Sequence, residues 1–108
     1  MSEIFIVFCT CSDNAEANRV AQSLVEERLA ACVNILPGLT SIYRWQDKLE
    51  SASEHLLLVK TTRERLSSLE SRIHELHSYE LPEVIAVPVT AGPEKYLAWL
   101  SQQVSPDN

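Results

Sequence analysis

Three short runs carry apolar side chains at consecutive positions: Ile4–Phe8, Leu56–Val59 and Val84–Val89. Side chains alternate across a strand, so an unbroken apolar run points hydrophobic groups to both faces of a sheet. Each run is too short for a helix of ordinary length, and Ile4–Phe8 consists wholly of β-branched and aromatic residues. A sheet built from them needs cover on both sides. That requirement constrains every other assignment in the chain.

The helical segments are easily found. Asp13 followed by Glu16 has the spacing of a capping box, and Ala17, Val20, Ala21, Leu24 and Ala31 fall on one helical face beyond it. Arg28 lies in the same arc, where its stem covers apolar surface and its guanidinium meets water at the helix end. Thr61 with Glu64 gives a second box, and Leu66, Leu69, Ile73 and Leu76 recur at three- and four-residue spacing, which predicts a helix from Arg63 to about His77. Between these helices, Cys32–Trp45 reads as a long strand bent at Pro37-Gly38, where the missing proline N–H favours a bulge. Gln46-Asp47-Lys48 is a polar turn, and a returning strand ends in Leu56–Val59, so the two form an antiparallel hairpin. Tyr79–Pro82 is a connector, and Pro88 places the fourth strand at an edge or a bulge. Gly92-Pro93 opens a last helix with Tyr96, Leu97, Leu100 and Val104 as its inner stripe.

The order is β-α-β-β-α-β plus a terminal helix, which predicts an α+β, ferredoxin-like sandwich with an antiparallel sheet. A length of 108 residues suits one domain over 1–108, and 45% apolar with 22% charged residues is an ordinary globular balance. Ser105–Asn108 reads as a disordered tail, and the chain shows no repeat or linker. Both main helices of this arrangement lie on one sheet face. The other apolar face is larger than a monomer leaves to water, so another subunit is expected to cover it.

Composition excludes several classes of function. The net charge is −6 and the nine Lys and Arg residues are scattered among acids, which argues against nucleic acid as a partner. The opening apolar run Ile4–Phe8 is too short for a membrane span or a signal sequence, so no membrane partner is expected and the cytoplasm is the expected location. Three cysteines without such a signal read as reduced thiols. Two glycines rule out a glycine-rich phosphate cradle.

Candidate chemistry lies in three places. Cys9-Thr10-Cys11 carries two thiols on a strand; they are expected on opposite faces, unable to grip one ion together, with at least one a small buried hydrophobe. His74 and His77, three apart on the second helix, would share neighbouring surface as a two-ligand pair, with Glu70, Glu75 and Glu80 near but no defined third ligand. The plainer reading of that pair is two surface histidines on a polar helix face. Tyr43 and Trp45 share a strand face and, with Tyr79, either line a ligand cleft or anchor subunits; their polar tips favour packing at a partly wet interface. No nucleophile elbow or triad pattern appears, and the chain reads as a non-enzyme.

Longer blocks carry a resemblance. Ala30-Ala31-Cys32-Val33-Asn34-Ile35-Leu36-Pro37-Gly38-Leu39-Thr40-Ser41-Ile42-Tyr43-Arg44-Trp45 closely resembles the signature of the CutA divalent-cation tolerance family. Phe8-Cys9-Thr10, Lys60-Thr61-Thr62, His77-Ser78-Tyr79-Glu80-Leu81-Pro82-Glu83 and Tyr96-Leu97-Ala98-Trp99-Leu100 are similar to it in order. The resemblance implies a homotrimer of ferredoxin-like subunits with the long bent strands pairing between protomers. It also implies non-catalytic binding of copper or other divalent cations, with Cys9 and His77 as ligands. The sequence departs from the family at Ser78, where proline is usual, and at Leu76, where some members have a second histidine. His74 is the candidate substitute one turn back, and Glu83 or a neighbouring chain the candidate to complete the site. The family's fold and trimer also resemble the P-II signalling proteins, which keeps open a small effector bound between subunits, or a structural trimer that scaffolds a protein partner.

Overall fold

Strand β1 (Ile4–Cys11) runs through the middle of the sheet in the computed structural model, which describes residues 3–106. It is followed by α1 (Asn14–Glu26), β2 (Cys32–Trp45), β3 (Lys48–Thr62), a 3₁₀ turn (Arg63–Arg65), α2 (Leu66–Leu76), β4 (Ile85–Pro88) and α3 (Glu94–Gln103). The four strands lie in the order β2-β3-β1-β4, and each neighbouring pair is antiparallel. This is the expected ferredoxin-like order, with the proline-bearing β4 at an edge.

Alternation along β1 sorts its side chains. Val7, Cys9 and Cys11 point with Leu57 and Val59 of β3 into a core closed by Val20 and Leu24 of α1 and Leu69 and Ile73 of α2. All nine side chains are fully buried. Each of the larger ones contributes about 1.5–3 kcal/mol by leaving water. A second cluster, Ile4, Ala31, Leu100 and Val104, fastens α3 to the start of β1.

The opposite face carries the other half of the apolar runs. Phe8 stands between Leu58 and Ile85, and Ile6 between Lys60 and Val87. Leu36 faces Leu56 across the β2–β3 ladder. Ile85 is 56% exposed, Leu36 43% and Val87 39%. The helices α1 and α2 therefore cover only one side, as expected of this arrangement, and the second apolar face is left without helices over Phe8, Leu36 and Ile85.

Local details follow from backbone rules. Register shifts between Leu36 and Leu39, at the Pro37-Gly38 bulge, and Gly38 takes a φ of +79°. Gln46 and Asp47 close the hairpin with φ of 50° and 64°, the pair of left-handed residues that matches strand twist. At the start of α1, Asp13 accepts the Glu16 N–H at 2.8 Å.

Several expectations are corrected. The carboxylate of Glu16 returns to Ser12 rather than to Asp13. Helix α1 stops at Glu26, Arg28 adopts a φ of 60°, and Ala31 lies beyond the helix, where its N–H donates to Lys60. The Arg28 guanidinium donates to the Gln103 carbonyl at 3.2 Å. Thr61 does not cap α2: it faces inward on β3, and its hydroxyl donates to the Leu29 carbonyl at 2.7 Å. The second helix instead begins through the 3₁₀ turn and ends one residue before His77. Strand β4 is shorter than Val84–Val89. Leu100 of α3 and Val104 just after it are buried, but Tyr96 is exposed beside Trp99 and Lys60. Of the expected tail, Ser105 donates its N–H to Gln102, and residues 107–108 lie outside the described residues.

Candidate metal centre

Cys9 and Cys11 are two positions apart on β1, and a strand repeats its facing every two residues. They therefore share a face, contrary to the expectation that they diverge, and both are fully buried in the core beneath α1 and α2. The chain leaves α2 at Leu76, and the next residue, His77, folds inward over the end of β1. One donor atom from each of Cys9, Cys11 and His77 lies within 4.8 Å of the others. The family resemblance named two of these three residues, Cys9 and His77, and counting the strand period correctly would have added Cys11.

His77 is held from several sides. Its Nε2 lies 2.6 Å from the Thr10 carbonyl, and the Tyr79 N–H donates to its Nδ1 at 3.0 Å. The two bonds together fit the tautomer with the proton on Nε2. The Tyr79 ring packs against the imidazole with centroids 4.7 Å apart. The residue is 8% exposed, so it is not a surface histidine. His74 is: it remains exposed on α2, where its Nδ1–H donates to the Glu70 carbonyl, and the structure does not bring it to His77.

Glu16 is the buried charge here. It is 3% exposed. Its Oε1 accepts from the Ser12 N–H and hydroxyl, and its Oε2 accepts from the Ser78 N–H at 2.7 Å. Oε2 also lies 3.9 Å from His77 Nδ1. Burial raises its pKa, but the hydrogen bonds from Ser78 and Ser12 and the nearby His77 outweigh it and bring the carboxyl down to about 2. The residue reads in the sequence only as a helix cap; no local signal marks its bond to Ser78, 62 positions away. Ser78 donates through its backbone N–H, a bond that the proline usual there could not make.

Outside this nook lies a cleft of about 660 Å³, lined by Thr10, Tyr43, Trp45, Glu54, Tyr79 and Glu83 among others. The three aromatic residues singled out in the sequence thus meet at one place. Tyr79 donates its hydroxyl to buried Glu54 at 2.7 Å; burial, then this bond, pushes the phenol pKa up. Glu83 lines the cleft and is not among the three clustered donors.

The chain matches the family described as CutA1 divalent ion tolerance protein over residues 5–103. It belongs to that family. It is 50% identical to the divalent-cation tolerance protein CutA of Thermus thermophilus over 97 residues, 90% of this chain and 94% of that one. It is 45% identical to the chloroplastic protein CutA of Arabidopsis thaliana over 95 residues, 88% of this chain and 52% of that one. The solved structure of the Thermus thermophilus Cut A1 protein superposes with a TM-score of 0.93 at 47% identity, over 94% of this chain and 99% of that one. Among the described residues, no helix is long and apolar enough to cross a membrane.

The CutA1 description directs attention to cations, and the donor set here suits one kind. Two thiols and an imidazole are soft and borderline ligands, the preference of copper and zinc rather than of magnesium or calcium. An ion with bonds of about 2.3 Å to sulfur spans at most about 4.6 Å between donors, so a cluster within 4.8 Å closes with a small adjustment. The Cys9 thiol resists ionisation: a hydrogen bond with Cys11, followed by burial, pushes its pKa up. Both nitrogens of His77 are engaged, so ligation costs one of its two hydrogen bonds. The residues fit a soft ion, and they hold it only by displacing protons and one internal bond.

Proposed function

We propose that this chain binds copper, or another divalent cation, without catalysing a reaction, on Cys9 and His77 with Cys11 as a third donor. It does so as a cytoplasmic homotrimer contributing to metal tolerance. The observation that carries this reading is the mutual approach of the three buried donor atoms. Copper bound there supplies a centre of high affinity for nitrogen and sulfur donors. The protein's part is positioning. The Thr10 carbonyl and the Tyr79 ring set the plane of the imidazole. Glu16, held by Ser12 and Ser78, places a negative charge beside it. Burial excludes water from the thiols.

The uncovered sheet face supports assembly with further copies of the chain, and the resemblance to CutA proteins implies that the copies number three. Phe8, Leu36, Leu56, Leu58, Ile85 and Val87 form an apolar surface that further copies of the chain would bury. Native mass spectrometry of the reduced protein, with and without about one equivalent of copper per chain, tests both parts. The expected result is a trimer that takes up copper in threes and loses it in Cys9→Ala and His77→Ala. A trimer indifferent to copper would refute the metal assignment, and a monomer would refute the assembly.

A further inference from the structure

Cys11 does not stand alone at the edge of the nook. Across the β1–β3 ladder its direct partner is His55. Directly opposed residues of an antiparallel pair project to the same face, with Cβ atoms about 4.5–5.5 Å apart. His55 Nδ1 is buried and has no hydrogen-bond partner. A buried polar atom left unsatisfied is uncommon and costs about 1–3 kcal/mol. It stands across the ladder from Cys11, one of the three clustered donors, and offers a further nitrogen on the same face of the sheet.

We propose that Cys11 and His55 complete a four-coordinate centre of two thiolates and two imidazoles that selects a tetrahedral divalent ion, zinc above all, and pins β1, β3 and the segment after α2 together. This deepens the proposed function and rests on its Cys9 and His77 assignment. Two sulfur and two nitrogen donors are the set of structural zinc sites. The charge balance also selects a divalent ion: each thiol releases its proton to solvent on binding, so two thiolates and one dication leave a neutral centre in a dry core. A monovalent ion on the same four donors would leave a buried negative charge. His55 lies outside the 4.8 Å group and joins by rotating about its own side-chain bonds. In doing so it exchanges an unsatisfied nitrogen for a metal bond.

Cobalt(II) is the probe, because it takes zinc's place and its visible spectrum reports coordination number and thiolate ligation. The reduced full-length protein is titrated with Co²⁺, with Zn²⁺ as competitor, and protons released are counted in weak buffer. The expected wild-type result is an intense tetrahedral spectrum with thiolate charge transfer, displaced by zinc, and two protons released per ion. Cys11→Ser should lower the charge-transfer intensity by about half, and His55→Ala should weaken cobalt binding at least tenfold. Circular dichroism checks the fold, and His55→Asn, which keeps a polar amide near the position of Nδ1, should show the same loss. Cobalt bound with unchanged affinity and spectrum in the Cys11 and His55 variants, yet lost in Cys9→Ala, would overturn this inference and the role of Cys11 as third donor, and leave Cys9 and His77 as the ligand pair. Wild-type protein that binds neither cobalt nor copper would overturn both.

Discussion

Replacing Glu16 by glutamine tests whether the nook is organised by a buried carboxylate. The folded chain holds this group at about 2, against an ordinary 4.5. That difference corresponds to about 3 kcal/mol of stability, at about 1.4 kcal/mol for each tenfold change. The sign follows from the direction. A depressed carboxyl contributes fully above its unfolded value and is lost as pH falls through its folded value, so the contribution fades between pH 4.5 and 2. Glutamine keeps one carbonyl oxygen but turns an NH₂ toward either the Ser12 or the Ser78 N–H, donor against donor. Urea unfolding of wild type and Glu16→Gln at one fixed chain concentration, under reductant, measures the gap. It should be about 3 kcal/mol at pH 7 and mostly gone by pH 2.5. A gap below about 1 kcal/mol at pH 7, or one independent of pH, would refute the account of Glu16.

Further outcomes are expected elsewhere. Leu58→Asp, opposite Phe8 on the uncovered face, places an unpaired charge where subunits would meet, at a cost of about 3–5 kcal/mol; size-exclusion chromatography should show loss of the assembly or of soluble protein, and a soluble trimer would count against a buried face. Tyr79→Phe removes the hydroxyl that donates to buried Glu54; denaturant titration should register a loss of about 1–2 kcal/mol, and no change would mean that water replaces the bond without penalty. Gly38→Ala meets open space but keeps a φ of +79°, so thermal unfolding should report about 1 kcal/mol of strain rather than a clash.

Much of the architecture was legible because it follows from local rules. The two-faced runs at Ile4–Phe8 and Leu56–Val59 demanded a sheet covered on both sides, and the helix spacing of Leu66, Leu69, Ile73 and Leu76 identified α2. Pro88 marked an edge strand and Pro37-Gly38 a bulge, since a missing N–H and a positive φ constrain the backbone wherever they occur. Thr61 misled because a threonine before a helix has two uses for its hydroxyl, and facing inward on β3 decided the matter in favour of the Leu29 carbonyl.

The sequence by itself determined the donor types, the strand and helix order and the family. Only the tertiary structure decided which donors meet. His74 and His77 are three residues apart yet separate, because α2 ends between them and the chain turns inward. Cys9 and His77 are 68 positions apart yet adjacent, because β1 and the segment after α2 close over the same core. Glu16 reaches Ser78, and His55 stands opposite Cys11, through helix packing and strand register. Such contacts are set by the packing of whole elements, and no local pattern of residues encodes them.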